Sequence, residues 1–434
     1  VHVSAIRTIP ELSKKRVRVL ARIANTTGRT IDGELTLSAR VFKDKEIVGK
    51  ARNWFKVAGR EAWVELALAL DKNWKVWDEF SPSLYELEST VIAECEGEKF
   101  EDRSTTRFGV REMGQAGTQF TMNGRTLFLR GTHDGMGFML TGHPAGDVES
   151  WRRVFSICNA YGLNHVRYHS VCPNGPAFLA ADEAGIILQP ELPVWATIKE
   201  DWAGQAFLQR ELERILEFYG NSPSFCMFSM GNEHAGDWDF LGRLVERAKR
   251  LDPTRKYVAA SNEYIRPGDR RAPVNPNDDY ATIMFGAEKN GERPRIRYME
   301  RMSPGNEDFD RAADYRTIVE DFNVPVIAHE LGQWWSYPDF KEIEKYTGVL
   351  KARNLELFRD EVKAAGLLEQ NEELRMASGL EAVELYKEDI ERNMRTPGLA
   401  GYQLLDLRDY SGQGTALVGL LNTFWDSKGF VTPE

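Results

Sequence analysis

The chain carries two hydrophobic rhythms in succession. In its first part, apolar and polar residues alternate along "KRVRVLARIAN", "DGELTLSARV", "EAWVELALAL" and "SLYELESTVIAE", with turn-like "TTG", "DKN" and "SP" between them. Alternation turns one face of a strand to a core and the other to water, so a β-sandwich of about 110 residues is expected there. A sandwich alone implies support or binding. From about Thr121 the rhythm changes to short apolar strands separated by helices. The strands are "RTLFLRG", "NHVRYH", "GIILQP", "SFCMFS", "KYVAAS", "ATIMF", "VPVIAH" and "GYQLLDL"; the helices between the earlier ones are "VESWRRVFSICNAYG", "PAFLAADEAG", "QAFLQRELERILEFYG" and "DFLGRLVERAKRL". This is the pattern of parallel strands with crossover helices, and eight strands favour a closed (β/α)8 TIM barrel over an open sheet. Asn262 to Tyr280 reads as irregular, and Gly348 to Asn393 holds more helix than one crossover needs.

In a barrel, the carboxyl ends of the strands form the active face. Two apolar runs stop there on carboxylates: "SFCMFSMGNE" reaches Asn232 and Glu233 after the fourth strand, and "VPVIAHE" reaches Glu330 after the seventh. A salt bridge or a helix cap would account for either glutamate alone. Two of them at strand ends of one barrel can face each other across its mouth. Such a pair suits glycoside hydrolysis: one carboxyl protonates the leaving oxygen while the other, ionised, attacks the anomeric carbon. Burial and mutual repulsion can separate their proton affinities, which lets identical side chains take opposite roles at one pH. The cleavage itself needs no cofactor.

Composition narrows the partners. Lysine and arginine number 56 against 66 acidic residues, a formal net charge of -10, which disfavours an overall pull toward nucleic acid or an anionic membrane. The 434 residues, 42% hydrophobic and 28% charged, suit a folded chain of two or three domains. No apolar run reaches the roughly 20 residues that cross a bilayer, so no membrane insertion is expected. Cys95, Cys158, Cys172 and Cys226 form no CxxC pair, and free buried thiols are the expectation. Glycine-rich nucleotide loops and a GxSxG elbow are absent, and the histidines never form HExxH. His329 and Glu330, as successive strand residues, should point to opposite faces. The chain opens "VHVSAIRTIP", and we read it as a fragment or processed chain. That leaves export open, with a periplasmic or secreted placement put ahead of a cytoplasmic one; oligomerisation is open too.

Several segments resemble glycoside hydrolase family 2, the β-galactosidases, β-mannosidases and β-glucuronidases. "NHVRYHSVCPNGPAFLAADEAGIILQPELP" is similar to the family's second-to-third strand signature, "FSMGNE" to its acid/base segment and "VPVIAHELG" to its nucleophile segment. "WDEFSPSLYELE" resembles the end of the immunoglobulin-like sandwich that precedes the barrel. The resemblance implies an immunoglobulin-like sandwich over 1–118 and a catalytic barrel over 119–434. It also implies that Glu233 is the general acid/base and Glu330 the nucleophile. Asn232 would contact the sugar's 2-hydroxyl, Arg167 and His169 would hold nucleophile and sugar, Asp406 would meet sugar hydroxyls or belong to the acidic pattern around them, and Asp134 would meet a sugar hydroxyl or else form a turn or N-cap. Trp334 and Trp335 follow the nucleophile segment and are candidates for stacking on sugar. A terminal β-linked sugar of an oligosaccharide or a plant or algal polysaccharide is the implied substrate, with galactose first and glucuronide or mannoside as alternatives. Some relatives bind a cation near the sugar, and Glu191 in "QPELP" is the carboxylate placed to do so here, although a salt bridge or a hydroxyl contact is the expected role.

The chain also departs from the family pattern. Leu331 stands where an aromatic usually follows the nucleophile, Leu405 stands where the eighth strand commonly carries tryptophan, and only Tyr168 separates Arg167 from His169. A noncatalytic carbohydrate-binding protein is the competing reading. It has no evident need for two opposed carboxylates.

Overall fold

The computed structural model describes residues 1–44, 46–200, 203–262, 275–283, 314–320 and 322–433. Most of the segment expected to be irregular, 263–274, lies outside the described residues.

The first rhythm builds seven strands: β1 (His2–Glu11), β2 (Arg16–Ala24), β3 (Ile31–Val41), β4 (Ile47–Val57), β5 (Glu61–Ala69), β6 (Leu84–Cys95) and β7 (Glu98–Gly109). They pair as two antiparallel sheets, ordered β1-β2-β5 and β4-β3-β6-β7. Inward residues of both, such as Val19, Leu37, Leu66 and Val91, share one core. Four of these strands are evident from alternation. The three that are not, β1, β4 and β7, all lie at sheet edges, where charged side chains discourage pairing with another chain. β7, "EKFEDRSTTRFG", keeps only its last two residues buried.

A small antiparallel sheet of β8 (Met113–Ala116), β9 (Gln119–Met122) and β10 (Arg125–Leu127) comes next. It corrects the reading of "RTLFLRG" as one strand. Leu127 ends this small sheet, and a new strand, β11 (Leu129–Asp134), begins the parallel one.

The parallel strands are β11, β12 (His165–Tyr168), β13 (Ile187–Gln189), β15 (Met227–Ser229), β17 (Lys256–Val258), β18 (Ala281–Ile283), β19 (Val326–Gly332) and β20 (Leu399–Leu405); β14 (Thr197–Ile198) and β16 (Ala235–Gly236) pair separately. Six of them run β13-β12-β11-β20-β19-β18. The β15-β17 pair joins at β13 through parallel bridges, Leu188 to Phe225 and Glu191 to Ser229. At the far side Asp279 N donates to Tyr257 O at 2.8 Å, drawing β17 toward β18. The result is a curled, partly closed parallel sheet, a TIM-barrel-like domain built from the eight strands expected.

Among the described residues, seven α-helices accompany it: α1 (Val148–Ala160), α2 (Gly175–Ala184), α3 (Ala203–Tyr219), α4 (Trp238–Leu251), a short α5 (Arg316–Val319), α6 (Arg353–Ala364) and α7 (Asn371–Arg395). Asp147 and Asp237 cap α1 and α4 by accepting from Ser150 N and Phe240 N, each at 2.8 Å. α6 and α7 are the surplus helix between β19 and β20. Trp77, Phe120 and Met122 reach beneath the parallel strands to pack on Ile187, Met227, Val258 and Ile327. Arg111 ties the first part to the second by donating to Pro223 O at 3.1 Å and Phe225 O at 2.8 Å. All four cysteines are free. Among the described residues, no helix is long and apolar enough to cross a membrane.

One buried acid outside the strand ends makes stability depend on pH. Burial, reinforced by Asp409 and opposed by Lys428, pushes the Glu342 carboxyl up to about 8. An unfolded glutamate titrates near about 4.3, so the folded chain holds this proton more tightly. Its stabilising contribution is complete below the unfolded value and is lost as pH rises toward the folded one. Thermal melts from about pH 5 to 8 should therefore show a decline in Tm that Glu342→Gln flattens. An equal decline in both chains would assign it to other groups.

Candidate active site

Arg167, at the end of β12, is the hub of the strand-end cluster, and it is fully buried. Its Nε donates to Glu191 Oε1 at 2.7 Å, Nη1 to Glu330 Oε1 at 3.0 Å and Nη2 to Asn232 Oδ1 at 2.7 Å. One planar fork therefore fixes residues following β13 and β15 and another within β19. Glu191 is held further by Ser170 N at 2.7 Å and Ser261 Oγ at 2.5 Å. Below it, Gln189 donates to Ser261 Oγ at 3.0 Å, and Gln403 donates to Gln189 Oε1 at 3.0 Å and His165 Nε2 at 2.9 Å. A polar ladder thus climbs from inside the sheet to the glutamates. With both its oxygens engaged by protein donors, Glu191 has the ion-pair role that was the expected one.

The structure corrects the expectation that His329 and Glu330 face apart. Ala328 pairs with Tyr402 and Leu331 with Leu404, so β19 carries one more residue than β20 over this stretch, a β-bulge that breaks the period of two. Glu330 adopts φ 49°, and His329 Nε2 lies 3.2 Å from Glu330 Oε1. Both side chains reach the same cluster. Glu330 accordingly sits inside β19 and not after it.

Glu233 is held at φ 46° just beyond β15. Its N–H donates to Ser261 O at 2.9 Å, and Asn262 Nδ2 donates to its Oε1 at 2.7 Å. Gly231 supplies the turn before it at φ 128°; a Cβ there would stand 2.5 Å from Val194 O, so only glycine fits. One carboxylate oxygen of Glu233 and one of Glu330 lie within 4.8 Å of each other. Left-handed backbone at both glutamates is costly and persists only where surroundings over-determine it.

The other candidates divide. His169 is partly buried, with Nε2 3.0 Å from Asn232 Nδ2, and stands among the cluster. Asp406 is buried behind it, accepting from Thr132 Oγ1 at 2.8 Å and lying 3.3 Å from His133 Nδ1. Asp134 is also buried, and its Oδ1 accepts from Arg408 Nη2 at 2.7 Å and from Met136 N at 2.8 Å, the turn that was its other expected role beside a sugar contact. Trp334 is a correction. It lies in the outer core, and its Nε1 donates to Asp389 of α7 at 2.8 Å, because the chain past Gly332 leaves the strand for the helical layer. Trp335 keeps 45% of its surface exposed.

Residues not singled out beforehand complete the cluster. Trp195, 53% exposed, sets its ring 4.9 Å from that of His169. Tyr410 lies 4.8 Å from His133 by ring centroid. Ser261 and Asn262 directly follow "KYVAA", so position after a strand was their only signal.

Electrostatics distinguish the groups. Burial by itself would raise the Glu330 carboxyl, but the adjoining His329 and the Arg167 guanidinium outweigh it and hold Glu330 well below the usual carboxylate range; burial lowers His329 in its turn, so the lasting charge is that of Arg167. Burial, then the nearby Arg167 charge, lowers His169 to about 3, leaving a neutral ring at neutral pH. The arrangement provides an ionised carboxylate, a second carboxyl close by and an amide between them.

A curled parallel sheet with two opposed carboxylates at its strand ends defines the class of fold and site. Residues 1–111 match the family model "Glycosyl hydrolases family 2". A putative beta-glucuronidase of Formosa agariphila is 28% identical over 273 residues, 59% of this chain and 32% of that protein. A beta-galactosidase of Thermoanaerobacter pseudethanolicus is 30% identical over 217 residues, 48% of this chain and 28% of its own length. Among solved structures, a GH2 beta-galacturonidase from Eisenbergiella tayi bound to glycerol superposes with a TM-score of 0.70 at 16% identity, over 99% of this chain and 70% of that one. By family model, by sequence and by fold, the chain matches glycosyl hydrolase family 2. It spans about a third of the length of the curated relatives it matches.

Proposed function

We propose that the chain is the sandwich-and-barrel part of a retaining exo-β-glycosidase. In this reading 1–118 form an immunoglobulin-like sandwich and 119–434 a (β/α)8 catalytic barrel. Glu330 attacks the anomeric carbon, Glu233 protonates the leaving oxygen, and water assisted by Glu233 releases the sugar. The observation that carries it is the approach of the two carboxylates within 4.8 Å by their nearer ligand atoms. Retaining pairs hold their carboxyl groups about 5 to 5.5 Å apart, and an oxygen-to-oxygen approach within 4.8 Å is compatible with that spacing. In this reading Asn232, held by Arg167, contacts the 2-hydroxyl, where a contact strengthens as positive charge develops.

A terminal β-galactoside is the proposed substrate. The relatives' names divide between galactosidase and uronidase. Among the described residues, two buried cations at the strand ends, Arg167 and Arg408, already face protein carboxylates, which supports a neutral sugar over a uronide. Proton NMR of the first sugar released, run across aryl β-galactoside, mannoside, glucoside and glucuronide, tests both parts. Release with inverted configuration would overturn double displacement, and preference for another sugar would overturn galactose.

Glu233→Gln separates the two steps. With an activated aryl leaving group that needs little protonation, the intermediate should form readily and then hydrolyse slowly for want of a general base. Azide, which needs no base, should restore turnover and yield the β-glycosyl azide. Unaided hydrolysis of ordinary glycosides at the parent rate would remove Glu233 from this role.

A further inference from the structure

A second grouping of ligand atoms overlaps the glutamate pair. One ring nitrogen each of His133 and His169 and one carboxylate oxygen of Glu330 lie within 4.8 Å of one another. His133 is fully buried. Its Nδ1 faces Asp406 Oδ2 at 3.3 Å, while Nε2 is shut from solvent with no hydrogen-bond partner among the described residues. A carboxylate behind one imidazole nitrogen puts the proton on that nitrogen, so Nε2 presents a lone pair. Asp406 is itself steadied by Thr132 Oγ1 at 2.8 Å. A buried acceptor left unmade is costly and calls for an explanation. Two imidazoles, one backed by a carboxylate, with a third ligand from glutamate, form a donor set that zinc takes.

We propose that His133, His169 and Glu330 bind a divalent cation of the zinc type, and that the bound cation blocks the site by occupying the Glu330 carboxylate. The blocking rests on the reading of Glu330 as nucleophile; the binding does not. Three protein ligands leave a fourth position for water. Magnesium and calcium prefer all-oxygen shells, so the two nitrogens select against them. The local charge also suits a cation: Glu191, Glu330 and Asp406 outnumber Arg167, while Arg408 is matched by Asp134. Binding costs one hydrogen bond. Asn232 Oδ1 accepts from Arg167, which fixes its amide so that Nδ2 donates to His169 Nε2 at 3.0 Å; a cation at that nitrogen displaces the donor.

Calorimetric titration with zinc chloride should show one site per chain, and magnesium chloride should not compete for it. His133→Ala should weaken zinc at least about ten-fold, and Asp406→Asn, which removes only the carboxylate behind the ring, by roughly ten- to hundred-fold. His143→Ala, at an exposed histidine, should leave the affinity unchanged. Because a buried histidine variant can fail to fold, cobalt(II) is also titrated into the unaltered chain. Intense visible absorption of a low-coordinate site is expected, and only the weak bands of six-coordinate cobalt would overturn the proposal. Absence of stoichiometric zinc, or equal affinity in folded His133→Ala, would overturn it too. Hydrolysis of an aryl glycoside is followed in the same samples: zinc bound at this site with turnover intact overturns the block. Zinc binding by a chain that hydrolyses no glycoside sustains the site and counts against the glycosidase reading instead.

Discussion

Glu330→Gln is expected to lower kcat/KM by about 10⁴-fold or more on every glycoside, the scale on which loss of a covalent nucleophile is felt. The size of the effect follows from how thoroughly the site commits Glu330 to being ionised. Arg167 Nη1 stands 3.0 Å from Oε1, His329 Nε2 stands 3.2 Å from the same oxygen, and together they overcome a burial penalty that would otherwise favour the neutral acid. An amide of the same shape fills the space but carries no negative charge to attack the anomeric carbon or to stabilise the positive charge developing there. Unlike the Glu233 variant, this one should gain nothing from a better leaving group, since formation of the intermediate is itself abolished. Azide attacking in place of the carboxylate should give the α-glycosyl azide. Near-parent turnover, or a β-azide, would show that another group performs the attack.

The eight parallel strands and the position of Glu233 were legible because both depend on local patterns. Short apolar runs between helices are visible in sequence, and "SMGNE" carries the glycine that its turn requires. Three edge strands were not, since β1, β4 and β7 carry the polar and charged residues that keep a free edge from pairing with another chain. The side on which His329 lies was illegible for a different reason. It depends on one extra residue between Ala328 and Leu331 relative to the partner strand, and a bulge leaves no mark in the apolar run of "VPVIA". Trp334 failed similarly: an aromatic after a strand end can line the mouth or turn back into the helical layer, and the partner that decides, Asp389 on α7, stands far along the chain. Tertiary pairing made those choices.

Arg167→Met should be among the most destabilising single substitutions in the barrel and should also change its pH dependence. The side chain is fully buried and donates to two carboxylates and an amide. Removing one partner from a buried ion pair typically costs about 3 to 5 kcal/mol, because the remaining charge keeps its desolvation penalty without compensation. Here Glu191 and Glu330 are both left, and in the parent chain each is held below its ordinary range although burial pushes it upward. A depressed carboxyl contributes stability that is present above its unfolded value and lost as pH falls through the folded one. Without Arg167 that contribution shrinks or reverses, so urea midpoints at neutral pH should drop and the loss should narrow toward acid, where both carboxyls are protonated in either chain. In whatever activity survives, the acid limb of kcat/KM should move to higher pH as the Glu330 carboxyl rises. A double-mutant cycle with Glu191→Gln measures the coupling: relief of part of the loss in the double variant is expected, because the glutamine carries no stranded charge. Strict additivity of the two losses would mean that the fork at 2.7 Å adds nothing beyond packing and that Glu191 finds another counter-charge.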